Sequence, residues 1–152
     1  MVLDLNVVRD NYNAFAKALP DTRVFYAVKA NPAPEVLKLL AGLGSCFDTA
    51  SVVEIQQALA AGASPDRISF GNTIKKERDI ERAYELGIRL YAVDCEAEVE
   101  KVARAAPGSA SPTAFGTRPD AQPGTGATMS TSRSVTSLRP RQPRGPRGPR
   151  GR

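Results

Sequence analysis

Lys29 is the residue whose setting invites chemistry. It closes the run Val24-Phe25-Tyr26-Ala27-Val28, β-branched and aromatic on both faces, which reads as a strand buried on both sides. That puts a lysine at the carboxyl end of a strand, where barrels and open α/β sheets place their sites. With little water around it, its amine should have a lowered pKa and act as a nucleophile, as a Schiff base with an aldehyde cofactor requires. The plainer reading is a lysine that marks a strand end and reaches out to solvent. Asp48 ends a second short strand at the same rim, and Glu54 follows about one helical turn later. Carboxylates there could set the protonation of a cofactor or orient its neighbours. Asp48 reads equally well as the cap of a helix beginning near Ser51. Asn72, after Phe70-Gly71, is a third polar residue at a strand end, although Gly-Asn is also ordinary turn chemistry. Lys75, Lys76 and Glu77 read as a solvated helix start, and Asp94 as the cap of the next helix.

The elements that position these residues alternate. Val2–Leu5 is a short apolar run. Asn6 could cap a helix whose face carries Val8, Tyr12, Phe15 and Leu19, ended by Pro20 and Asp21. Four strand–helix units follow. Strands are expected at 24–28, 45–49, 67–70 and 88–93. Helices are expected from Pro32 and Pro34 to Gly44, over 51–61 up to Gly62, over 75–86 up to Gly87, and over 96–106 up to Pro107-Gly108. This repetition predicts a parallel sheet with helical crossovers. An open doubly wound sheet and a closed barrel fit the periodicity equally.

Composition divides the chain at Gly108. Of its 21 Lys and Arg, eight fall in residues 109–152, as does one of its 16 Asp and Glu. Residues 1–108 therefore carry 13 basic against 15 acidic side chains, a net of −2, and the tail carries +7. A slightly acidic body argues against nucleic-acid binding by it. The absence of histidine excludes a Ser-His-Asp or Cys-His system in this chain, and Cys46 and Cys95 alone cannot close a structural zinc site. No apolar run reaches the roughly 20 residues that span a bilayer, and the start lacks a signal-peptide pattern. A cytoplasmic, reduced protein is expected. Thirteen of the 44 tail residues are Pro or Gly, and Pro-Arg-Gly repeats three times from Pro143 to Gly151. Disorder is expected there. A GC-rich gene translated out of frame would give this composition; a genuine tail could hold nucleic acid weakly through phosphates.

Read together, the strings resemble one family. FYAVKAN at 25–31, CFDTASVVEI at 46–55, DRISFGNTIKKERDI at 66–80 and AVDCEAEVEKVAR at 92–104 are similar, in order and spacing, to the barrel-fold ornithine, lysine, diaminopimelate and arginine decarboxylases. The resemblance covers residues 2–108. It implies a partial (β/α)8 TIM-type barrel of about four units, like that of alanine racemase, which binds pyridoxal 5'-phosphate. Lys29 would carry the cofactor as a Schiff base, with Asp48 and Glu54 as supporting groups nearby. Val2–Leu5 would match a strand of the family's β-rich domain. The expected reaction is decarboxylation of a basic amino acid, with FGNTIKK closest to the ornithine and lysine enzymes, so that ornithine would yield putrescine for polyamine synthesis. Diaminopimelate decarboxylase, a racemase-like barrel and a non-catalytic module with a basic tail are the alternatives. The resemblance also implies a homodimer for the complete enzyme. After Gly108 the family's arginine strand, ring-stacking histidine, glycine-rich phosphate loop and pyridine-pairing glutamate are not found, so a truncated, inactive fragment is expected.

Overall fold

The computed structural model describes residues 3–112 and 135–137. Helix α1 (Leu5–Ala18) leads, followed by β1 (Phe25–Ala27), a single 3-10 turn (Val28–Ala30) and α2 (Pro34–Gly42). Next come β2 (Cys46–Thr49), α3 (Val52–Ala60), β3 (Ile68–Phe70), α4 (Glu77–Glu85), β4 (Leu90–Tyr91) and α5 (Glu96–Ala105), then β5 (Ala110–Pro112) and β6 (Val135–Ser137). The strands line up in chain order; β1 to β5 are parallel and β6 runs antiparallel to β5.

Strand register sorts the side chains. Tyr26, Phe47 and Ile68 stand in one row, and Thr49, Phe70 and Tyr91 in the next row of the same face. That face meets the helices: Phe47, Ile68, Phe70 and Tyr91 share one core with Leu37 and Leu40 of α2, Ile55 and Ala58 of α3, Ile80 and Ala83 of α4 and Val102 of α5. The helical partners recur three or four residues apart, which puts each pair on one stripe. The opposite face carries Ala27, Asp48, Ser69, Leu90 and Ala110 in one row. Strands in chain order with helices packed on one face exclude a doubly wound sheet and form an arc of a (β/α) barrel. Each of α2 to α5 is followed by a glycine of positive φ, as at Gly44 (+90°), whose N–H bonds the Ala41 carbonyl at 3.1 Å. A side chain at that φ would be strained, so the chain stops and turns there.

Several expectations change. Leu5 opens α1 rather than ending a strand, and Val2 lies outside the described residues. The α1 cap is Asp4, accepting from the Asn6 N–H at 2.8 Å, rather than Asn6. The α5 cap is Cys95, with no side-chain cap bond, rather than Asp94. β1 is half-buried instead of covered on both sides, because it has only β2 as a neighbour among the described strands. The sheet also continues past Gly108. Ser109 is buried, and the Ala110 N–H donates to the Arg89 carbonyl at 2.7 Å. Residues 113–134 and 138–152 of the expected tail lie outside the described residues.

Candidate functional site

In a parallel sheet every strand delivers its carboxyl end to one rim. Here the segments after β1, β2 and β3 surround a cleft of about 200 Å³ lined by Lys29, Asp48, Glu54, Gly71, Asn72 and Thr73. A second hollow of about 310 Å³ lies beside α1 and is lined mainly by apolar side chains such as Leu3, Val8, Tyr12 and Tyr26. Only the first combines an amine with carboxylates.

Lys29 sits in the 3-10 turn two residues beyond the end of β1 and is exposed. The water-poor setting expected for it is therefore not provided by the described residues. Its charge reaches Asp48 all the same.

Asp48 belongs to β2, flanked in register by Ala27 and Ser69. Its Oδ1 accepts from Ser69 Oγ at 2.8 Å. Burial pushes the Asp48 carboxyl above the usual carboxylate range, and Glu54 adds to the effect. The Ser69 hydroxyl and the Lys29 ammonium oppose it. The backbone of Gly71 lies against this carboxylate: a Cβ there would stand 1.9 Å from Oδ1. A side chain at 71 would therefore have to displace the Asp48 carboxylate. The raised pKa means the folded state holds the proton more tightly than the unfolded chain. The ionised form is penalised at every pH above the folded pKa, and the penalty vanishes below the ordinary value of 3.8. Asp48→Asn is accordingly expected to stabilise the fold at neutral pH, by a margin that closes as pH falls through that window. Melting both proteins over an acid-to-neutral series checks this, and a margin independent of pH would refute it.

Glu54 has a local task. Ser51 caps α3 by accepting the Glu54 N–H at 3.3 Å, and Glu54 Oε2 accepts the Ala50 N–H at 2.7 Å. This is a capping box shifted by one residue, readable in the sequence as Ser51-x-x-Glu54. It makes Ser51, rather than Asp48, the cap, leaving the Asp48 carboxylate to the cleft.

Lys75 departs most from expectation. It is buried, as is Glu98 of α5. Its Nζ donates to the carbonyls of Asn72 (2.9 Å), Thr73 (3.3 Å) and Ala92 (2.5 Å), and lies 3.5 Å from Glu98 Oε2. Lys101 Nζ bonds Glu98 Oε1 and, at 2.8 Å, the Lys75 carbonyl. A Lys-Lys-Glu string at a helix start looks solvated; the burial comes from groups 17 and 23 residues further along the chain.

The chain belongs to the pyridoxal-dependent decarboxylases: the family model for their pyridoxal-binding domain matches residues 5–136. It is 47% identical over 108 residues to the chloroplastic ornithine decarboxylase of Nicotiana glauca, covering 71% of this chain and 25% of that protein. Crystal structures of family members superpose on it. SrLDC in complex with PLP and cadaverine does so with a TM-score of 0.66 at 40% identity, covering 69% of this chain and 28% of that one. The arginine decarboxylase of Paramecium bursaria Chlorella virus, bound to agmatine, does so with a TM-score of 0.68 at 29% identity, covering 70% and 29%. The chain spans about a quarter of the length of the curated relatives it matches.

Proposed function

We propose that this chain supplies the lysine-bearing rim of a pyridoxal-phosphate-dependent decarboxylase of basic amino acids, with ornithine as substrate and putrescine as product. The observation that carries the reading is the meeting of Lys29, Asp48 and Gly71 at one rim of a parallel βα sheet. An exposed primary amine is free to condense with an aldehyde, and the cleft beside it has room for an aromatic ring. Asp48 supplies a carboxylate whose protonation responds to its surroundings, so it can hold a proton or a charge opposite that ring. Gly71 presents bare backbone where any side chain would displace Asp48. Glu54 fixes the Ala50–Ser51 turn behind the carboxylate. Pyridoxal phosphate, when bound, supplies the electron sink for the carbon–carbon bond that breaks. Lys29 is the one basic side chain in the described lining, and as the amine that condenses with the aldehyde it leaves the phosphate to groups outside that lining. The ornithine reading is supported by the plant relative and by the FGNTIKK string; homodimerisation of the complete enzyme is carried over from the family resemblance.

The test is reduction with borohydride after incubating the chain with pyridoxal phosphate, followed by peptide mass mapping. The adduct is expected at Lys29, and Lys29→Ala should abolish it without changing the melting point, since the side chain is exposed. Label spread evenly over exposed Lys17, Lys38 and Lys76 would sink the proposal. The chain by itself is proposed to be inactive, so the substrate is tested on the complete enzyme, by release of carbon dioxide from carboxyl-labelled ornithine in preference to lysine and arginine.

A further inference from the structure

Lys75 does not line the cleft, yet it bonds two residues that do. An ammonium has three protons, and the three carbonyls of Asn72, Thr73 and Ala92 all lie within hydrogen-bond distance of it. Asn72 and Thr73 belong to the β3–α4 connection, and Ala92 follows β4. The Phe70 ring, 6.0 Å away, covers another side. Glu98 supplies the counter-charge from α5 and is itself held by Lys101. A lysine with no exposed side-chain surface is rare unless it is paired. A well-packed apolar residue would fill the same volume without the desolvation that burying a charge entails. What an apolar residue could not do is hold three carbonyl oxygens from two connections on one point.

We propose that Lys75 is a positioning residue whose buried ammonium ties the β3–α4 and β4–α5 connections together and so sets where Gly71, Asn72 and Thr73 stand in the cleft. The tie exists in the polypeptide alone; its service to a cofactor rests on the function proposed above. Two backbone amides report on it. The Gly71 N–H bonds the Thr49 carbonyl at 2.8 Å, and the Ala92 N–H bonds the Phe70 carbonyl at 3.0 Å, both at the rim. The Cys46 N–H, bonded to the Val24 carbonyl at 2.9 Å, reports on the far end of the sheet.

The experiment compares the full chain with Lys75→Met and with the double variant Lys75→Met/Glu98→Leu, in which no charge of the pair remains buried. Amide hydrogen exchange, melting point and borohydride-trapped pyridoxal phosphate are measured on all three. In Lys75→Met, exchange at Gly71 and Ala92 should rise about tenfold or more while Cys46 is unchanged. The double variant should regain the wild-type melting point yet keep the fast rim exchange and trap much less cofactor at Lys29. Recovery of slow rim exchange together with the melting point would overturn the proposal, since the pair would then serve stability alone. Fast rim exchange with undiminished trapping would also overturn the tie's role in placing the cleft. If the wild-type chain forms no adduct at Lys29, the cofactor reading fails, and rim exchange alone decides whether the tie exists.

Discussion

Glu98→Ala is expected to destabilise the chain by about 3–5 kcal/mol, the usual result of leaving a buried charge without its partner. That is a large share of the ~5–15 kcal/mol available to a domain. Lys75 would keep its three carbonyl acceptors but lose the only carboxylate within ion-pair distance among the described residues. Lys101, partly exposed, can swing its ammonium into water. Lys75→Met should cost less, because Glu98 keeps Lys101 as a partner. Chemical denaturation of the three proteins tests this order, and a smaller loss in Glu98→Ala than in Lys75→Met would refute it. The order has a pH signature. Burial lowers the Lys75 pKa below its ordinary 10.5, a shift opposed by Glu98 and more weakly by Asp94, and reinforced by Lys101. Between the folded value and 10.5 the unfolded chain binds the proton that the folded chain has shed, so stability rises with pH across that window. Removing Glu98 takes away the main opposition and extends the window downward. The deficit of Glu98→Ala relative to wild type should therefore narrow as the solution is made alkaline.

The legible parts of this fold are those set by near neighbours in the chain. Ile55 with Ala58 and Ile80 with Ala83 mark the buried stripes of α3 and α4, and Gly44, Gly62, Gly87 and Gly108 mark where helices stop. The strands shrink by a residue or two at their ends, as at 88–93, of which Leu90–Tyr91 remains. Choosing between a barrel and a doubly wound sheet needs strand order and the side on which the helices pack, and neither is a property of any single segment. At the rim, Lys29, Asp48 and Glu54 were singled out by type and position, and all three line one cleft. The solvent exposure of Lys29 fits the plainer reading of a strand-end lysine rather than the water-poor one, and the local capping bond of Glu54 has its pattern in plain view as Ser51-x-x-Glu54. Lys75 was beyond reach. Its string is that of a surface turn, and only the approach of Ala92 and Glu98 converts it into a buried centre. Non-local burial of a charge leaves no periodic trace in sequence.

Gly71→Ala should be the second large change, and its cause can be isolated. The new methyl would meet Asp48 at 1.9 Å from Oδ1, 2.6 Å from Cγ and 2.8 Å from Oδ2, distances that force something to move. The backbone of Gly71 is pinned by its 2.8 Å bond to the Thr49 carbonyl, so the carboxylate must yield. Yielding breaks the 2.8 Å bond from Ser69 Oγ and leaves that hydroxyl with a 3.4 Å contact to the Phe47 carbonyl. Overpacking of this kind costs about 1–3 kcal/mol. The same displacement moves Asp48 within the cleft, so cofactor trapping at Lys29 should fall together with stability. A double-mutant cycle separates steric conflict from any intrinsic effect of alanine at 71. In the Asp48→Ala background the methyl has space, and Gly71→Ala should become nearly neutral, giving a coupling of about 1–3 kcal/mol between adjacent strands. Additive losses in the cycle would mean that the two residues do not contend for one volume, and the close approach would no longer explain the glycine. A strong coupling would fix Asp48 against the rim backbone from which the cleft, and the tie behind it, are built.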